Sequence, residues 1–201
     1  MRQGRITASR AVDFMTKGRR SGDIFGETAK KYAYELALQR MGIDMSEITG
    51  YDITTWQMEW GIEYEADARE VYSTSRGISV DMPGFIPGDN MSGCTPDGTI
   101  LNGDDMIIGL LEIKCPQWAN HINYIMEGPE RRYVYQMQFQ MMITGAEWTD
   151  FMTYHPEFDG NLRARVHRIE RDEKLISEME ARLRPFNELV QSIIDKLQDD
   201  E

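Results

Sequence analysis

Between Ile107 and Leu111 the chain reads Ile-Ile-Gly-Leu-Leu, nearly all apolar, and passes without a break into Glu112-Ile113-Lys114. A strand that does not alternate apolar with polar residues is buried on both faces, so this segment demands a sheet with something packed on each side. It also carries two charged side chains toward that interior, where charge persists only if it is compensated.

The flanking sequence supplies the covering layers. Residues 7–15 read as a short helix, followed by the flexible basic loop Lys17-Gly18-Arg19-Arg20-Ser21-Gly22; residues 27–41 read as a second helix ending at Gly42. Thr54-Thr55-Trp56-Gln57 is a capping box, after which Trp56, Trp60, Tyr64, Ala68 and Val71 recur at helical spacing until Gly77. Then the period changes. Residues 78–80, 84–86, 99–101 and 107–113 read as strands, 117–126 and 130–144 as helices, and 148–154 and 162–169 as strands again. From Asp172 an amphipathic stripe predicts a terminal helix, bent or broken near Pro185. This order fits a single α/β domain over residues 1–201, with helices flanking a central mixed sheet.

Composition narrows the class. With 41% hydrophobic and 28% charged residues, and aromatic residues spread along 201 positions without repeats, the chain is neither disordered, collagenous nor a coiled-coil rod. No apolar run approaches the ~20 residues of a membrane span, and residues 1–14 lack the apolar stretch of a signal peptide, so a cytoplasmic protein is expected. Two cysteines, Cys94 and Cys115, are too few for a disulfide scaffold or a four-cysteine iron–sulfur cluster. The net charge of −12 argues against nucleic-acid binding until its distribution is considered: residues 1–31 sum to +5 and the remainder to −17. A local phosphate-binding surface on a repelling body and a solvated basic terminus are both compatible with that asymmetry.

Chemistry concentrates in the strand region. Thr95-Pro96-Asp97-Gly98 precedes the Glu112-Ile113-Lys114 tripeptide, and an antiparallel hairpin centred on Asn102-Gly103-Asp104-Asp105 places residue 97 opposite 112. Side-chain alternation then sets Glu112 and Lys114 on one face, with the Asp97 carboxylate converging from the neighbouring strand. Two carboxylates so placed repel, and a hard divalent cation, Mg²⁺ or Mn²⁺, is the natural compensation; Asp97, Glu112 and the Ile113 carbonyl form a suitable oxygen set. Such a cation polarises a phosphodiester, and Lys114 can orient the nucleophile or neutralise developing charge. A surface hairpin with a cross-strand ion pair is the plain alternative, which the apolar approach from Ile107 disfavours.

Five blocks in order sharpen this: Arg2-Gln3-Gly4-Arg5-Ile6-Thr7-Ala8-Ser9, Trp60-Gly61-Ile62-Glu63-Tyr64-Glu65-Ala66-Asp67-Ala68-Arg69, Thr95-Pro96-Asp97-Gly98, Leu111-Glu112-Ile113-Lys114-Cys115-Pro116 and Tyr133-Val134-Tyr135-Gln136-Met137-Gln138. With them the chain resembles the phage lambda-type exonuclease family, the alkaline exonucleases of the PD-(D/E)xK nuclease superfamily. The resemblance implies a restriction-endonuclease-like core with its catalytic part at 54–144, a basic DNA-end-binding segment at 1–31 and a C-terminal helix at 172–201. It implies Glu65, Asp97, Glu112, Lys114 and Gln136 as catalytic residues, and a 5′-phosphate and DNA site at Arg2, Thr7, Ser9, Thr95 and Arg19. Helix capping is the ordinary role for Thr7 and Ser9. Thr95 stands where the family commonly has Ser, and Arg19-Arg20 adds a basic residue to the loop.

The implied activity is Mg²⁺-dependent, processive 5′-to-3′ digestion of double-stranded DNA, releasing mononucleotides and leaving a 3′ single strand for recombination. The implied assembly is a homotrimeric ring working with a single-strand annealing protein, in a bacterial host and of phage or prophage origin. Met58, seven residues before Glu65 on the same helical face, is by resemblance an apolar wedge between base pairs and by packing a core residue; both readings stand. His121, His155 and His167 lack ligand spacing, and Cys115 reads as a small hydrophobe behind the site. Competing functions are an endonuclease or single-strand nuclease with the same chemistry, and a catalytically silent DNA-end adaptor.

Overall fold

A computed structural model describes residues 2–19, 22–45, 48 and 56–199, the side chains of 56–58 excepted. The capping-box threonines, Arg20 and the Met58 side chain therefore lie outside the described residues. Two sheets form. In the first, β1 (Ile6–Thr7) pairs in parallel with β3 (Ser92–Cys94), which pairs antiparallel with β2 (Ile86–Gly88). The second runs β4 (Gly98–Leu101), β5 (Ile107–Lys114), β6 (Trp148–Tyr154) and β7 (Ala164–Glu170), with β5–β6 parallel and the outer pairs antiparallel. Helices α1 (Ala11–Phe14), α2 (Glu27–Arg40), α3 (Trp56–Arg76), α4 (Trp118–Glu127), α5 (Arg131–Thr144) and α6 (Glu173–Gln198) surround them. None of the described helices is long and apolar enough to cross a membrane.

Strand β5 is covered on both faces, as its composition requires. Leu111 and Ile113 pack with Ala68 and Tyr72 of α3, whereas Leu110 packs with Tyr124 of α4 and Met137 and Met141 of α5. Gly109 leaves room for the Trp148 ring, to which a Cβ at that position would approach within 2.3 Å. A third cluster joins α1, α2 and α6 to α5 through Phe14, Tyr32, Phe139 and Phe186.

Several local expectations change. Residues 78–80 form no strand; only the next residue, Asp81, makes an isolated bridge, to Thr99. The strand expected at 84–86 is displaced to Ile86–Gly88, because it pairs with Ser92–Cys94, a strand too short and glycine-bearing to be read from periodicity. The first helix starts later than expected: Ile6 and Thr7 are held extended against Ser92 and Gly93, and a 3₁₀ turn at Ala8–Arg10 precedes α1. Helix α6 runs unbroken through Pro185, since Leu183, Phe186 and Val190 are all buried on one side of it and hold it in place. Arg182 fastens the same helix to the carbonyls of Met15, Thr16 and Ile24.

Candidate active site

The hairpin register is set by the turn together with a one-residue shift between Ile100 and Leu101: Leu101 lies opposite Ile107, whereas beyond the shift the pairing moves by one position. Asn102 accepts backbone hydrogen bonds from Asp104 and Met106 at 3.0 Å each, closing the loop, and Gly98, Thr99 and Ile100 lie opposite Leu111, Leu110 and Gly109. Extended by one position, this register sets Asp97 beside Glu112. The Asp97 Oδ2 atom accepts a 2.7 Å bond from the Ile113 N–H. Glu112, fully buried, receives Lys114 Nζ and Gln136 Nε2 (2.6 Å) on Oε1, and Gln140 Nε2 (2.7 Å) on Oε2. Both glutamines come from α5, which covers the face of β5 that Glu112 occupies.

Burial, reinforced by the nearby Glu112 carboxylate, pushes the Asp97 carboxyl up to about 8. The Lys114 ammonium is held above its ordinary range because the attraction of Glu112 and Asp97 outweighs its burial. As a cation it can orient the nucleophile or neutralise developing charge. The chemistry of the two carboxylates fits a hard divalent cation: both are oxygen donors, and they repel one another in this cavity. Among the described residues no three of His, Cys, Asp and Glu converge on one point. A cation here would thus keep part of its shell for water and phosphate oxygens, the usual habit of Mg²⁺.

A cavity of about 240 Å³ brings Asp97, Glu112, Lys114 and Gln136 together with Arg2, Thr7, Ser9 and Thr95. Arg2 donates to Ser9 Oγ at 3.2 Å, and the Thr7 and Ser9 hydroxyls lie 3.4 Å apart. Thr7 stands at the N-cap of the 3₁₀ turn, yet its side chain makes no capping bond, and the residue lines the cavity. Its backbone N–H is instead tied to Tyr32 Oη at 3.0 Å. Arg19 is not brought to this cavity and lines a separate one with Lys17 and Lys30. Glu65 is reached from the other side. A second cavity, about 540 Å³, shares Asp97 and Lys114 with the first and is lined by Glu65, Gly61, Arg132 and Tyr133. Among the described residues no atom lies within 4 Å of a Cβ placed at Gly61, which leaves that wall open toward a substrate.

Two site residues had no role in the sequence reading. Arg69 joins the Glu65 carboxylate to the Asp97 carbonyl, the latter at 3.0 Å, and its signal was the i, i+4 spacing from Glu65. Gln140 follows Gln136 by the same spacing. Of the histidines, His121 is a satisfied core residue between Thr153 Oγ1 and the Leu162 carbonyl, 2.7 Å from each, and burial lowers its basicity. Cys115 is buried, as expected of a small hydrophobe, but it lines the second cavity beside Lys114 instead of lying behind the site, and burial pushes its thiol up to about 12.

Comparison with known proteins gives the chain its family and its fold. Residues 1–147 match the YqaJ-like viral recombinase domain. The crystal structure of an alkaline exonuclease, LHK-Exo, from Laribacter hongkongensis superposes with a TM-score of 0.82 at 35% identity, covering 99% of this chain and 94% of that one. A structure of LHK-Exo in complex with dAMP gives 0.84 at 33% identity, with the same coverage. A phage-related exonuclease from Haemophilus somnus 129PT, 16% identical, shares the fold with a TM-score of 0.74 over 96% of each chain. No curated protein sequence matches.

Proposed function

The chain belongs to the family of YqaJ-like viral recombinase domains, and from that membership we propose that it is a Mg²⁺-dependent, processive 5′-to-3′ exonuclease on double-stranded DNA. It is a nuclease acting on DNA, of the alkaline exonuclease kind. The observation that supports end-directed chemistry is the single cavity in which Arg2, Thr7, Ser9 and Thr95 face Asp97, Glu112 and Lys114. An arginine fork and three hydroxyls bind a terminal phosphate dianion through charge-assisted hydrogen bonds. So anchored, the first phosphodiester reaches the carboxylates within the same cavity.

A divalent cation held by Asp97, Glu112 and the Ile113 carbonyl would supply Lewis acidity and a lowered pKa for bound water. The protein does the rest. Lys114, as a cation, stabilises negative charge developing on the phosphorane-like transition state, and Gln136 lines the cavity beside Glu112. Arg69 keeps Glu65 and the Asp97 backbone together, so that the wall shared with the second cavity holds its shape. Mononucleotide release accords with the dAMP bound by LHK-Exo. The acidic body and basic first 31 residues accord with a trimeric ring that engages duplex only inside its channel and delivers a 3′ strand to an annealing protein. Arg19, which lines a separate cavity, belongs to this proposal as a contact to the duplex, and Met58 as the apolar wedge between base pairs.

The test uses purified protein with Mg²⁺ on linear duplexes bearing 5′-phosphate or 5′-hydroxyl ends and on closed circular duplex. Fast digestion of the phosphorylated ends, slower digestion of the hydroxyl ends and intact circles are expected. Cleavage of the circles at a comparable rate would identify an endonuclease instead.

A further inference from the structure

We infer that Gln140 is a positioning residue that keeps Oε2 of Glu112 out of the metal site, so that this carboxylate meets a cation through Oε1 alone, with Gln136 as the donor that yields. The inference rests on the proposed metal role of Asp97 and Glu112. The two glutamines lie one helical turn apart on α5 and both direct Nε2 at Glu112, at 2.6 and 2.7 Å. Their surroundings differ. Gln136 is half-buried and lines the 240 Å³ cavity; Gln140 is 0% exposed and does not line it. A cation entering the cavity therefore meets Oε1, where Lys114 and Gln136 converge, and the Gln136 amide has room to swing aside. The Gln140 amide has none.

The orientation of that amide is forced by its partner. A carboxylate only accepts, so the reversed amide would set oxygen against oxygen. The forced orientation leaves the Gln140 Oε1 atom buried without a hydrogen-bond partner among the described residues, an arrangement that is unfavourable by itself and persists only while the Nε2 contact offsets it. Gln138, between them in sequence, points elsewhere: it bridges the Glu170 carbonyl and the Asp172 N–H, each at 2.8 Å, and ties α5 to the β7–α6 turn.

One-oxygen ligation bears on metal choice. Mg²⁺ demands near-octahedral geometry with single-atom ligands, whereas Ca²⁺ accepts both oxygens of one carboxylate and a larger, less regular shell. Replacing Gln140 by a residue without a donor frees Oε2 to chelate. Gln140→Met, close in volume, should raise the ratio of Ca²⁺ to Mg²⁺ affinity by about tenfold or more, measured by calorimetry on the intact protein. Gln138→Met should lower the melting temperature and leave that ratio unchanged, which is the behaviour of a merely structural glutamine.

A measurement on the unmodified protein runs alongside: when Mg²⁺ is added, the Gln136 side-chain amide resonances should shift and those of Gln140 should stay in place. If Gln140→Met does not fold, this titration decides alone. An unaltered affinity ratio in folded Gln140→Met, or a Gln140 amide that moves as far as that of Gln136, overturns the inference. Glu112→Gln separates the two levels. If it binds Mg²⁺ as the parent does, the metal reading itself fails and the inference with it; if it loses Mg²⁺ while Gln140→Met keeps the ratio, only the inference fails.

Discussion

Two carboxylates on neighbouring strands, Glu112 on β5 and Asp150 on β6, are both completely buried, and their partners could hardly differ more. Glu112 shares one ammonium with Asp97 and otherwise takes neutral amide donors from Gln136 and Gln140. Asp150 accepts two bonds from Arg168, at 2.8 and 3.1 Å, and one from Tyr72 Oη at 2.8 Å, with Arg76 at 3.7 Å. In strand register Asp150 pairs with Leu111, so its side chain lies on the opposite face of the sheet from Glu112. One face thus carries two carboxylates against a single ammonium and opens to cavities; the other carries one carboxylate against two guanidiniums. Under-compensated negative charge invites a cation from solution, and over-compensated charge holds the sheet to α3.

The sharpest way to break this contrast is to neutralise each carboxylate in turn. Glu112→Gln, like Asp97→Ala and Lys114→Ala, should cut Mg²⁺-dependent hydrolysis by about a thousandfold or more while circular dichroism shows a folded chain. Near-parental turnover in any of the three would remove that residue from the site. Asp150→Asn should do the reverse, costing about 3 kcal/mol of unfolding free energy while activity per folded molecule persists. That figure is the low end for a broken buried pair, because the Arg168 and Arg76 side chains keep 42% and 39% of their surface in water. Chemical denaturation beside a turnover assay measures both quantities.

End recognition tests whether the open face serves a phosphate as well as a cation. A 5′-phosphorylated duplex should be digested faster than its 5′-hydroxyl counterpart, and Arg2→Ala should shrink the preference by roughly ten- to a hundredfold, the loss of one charge-assisted contact of about 1.5–3 kcal/mol. Equal initial rates on both ends in the parent would eliminate the phosphate assignment. A preference untouched by Arg2→Ala would transfer it to Arg5 or Arg19.

The smallest effect is pH-linked. The Asp97 carboxyl rises from 3.8 in the unfolded chain to about 8 in the metal-free fold, so the folded state binds the extra proton. Its ionisation therefore lowers metal-free stability progressively as pH rises from about 4 toward 8, and the loss levels off above 8. A cation must displace that proton, so Mg²⁺ affinity should increase by up to about tenfold per pH unit below 8 and flatten above it, with proton release visible as a buffer-dependent binding enthalpy. A pH-independent affinity would show that Asp97 is not a ligand. Assembly adds a last check: light scattering should give about three times the 23.3 kDa chain mass for the proposed ring.

What the sequence by itself determined is local and periodic. The doubly buried strand β5, the strand Trp148–Tyr154, the helix stop at Gly77 and the hairpin turn at residues 102–105 follow from side-chain alternation and turn chemistry, which act over a few residues; the pairing of residue 97 with 112 needs in addition the register shift between Ile100 and Leu101. The tertiary structure decided the rest. Ile6–Thr7 and Ser92–Cys94 are strands only because they find each other across 86 positions, and α6 passes through Pro185 only because buried neighbours on both sides of the proline hold it. The Arg69 link, the Gln140 clamp and the Asp150 cluster depend on which helix covers which face of the sheet. No local period encodes that choice, because it is made by long-range burial, where the buried charged groups take their partners from distant parts of the chain.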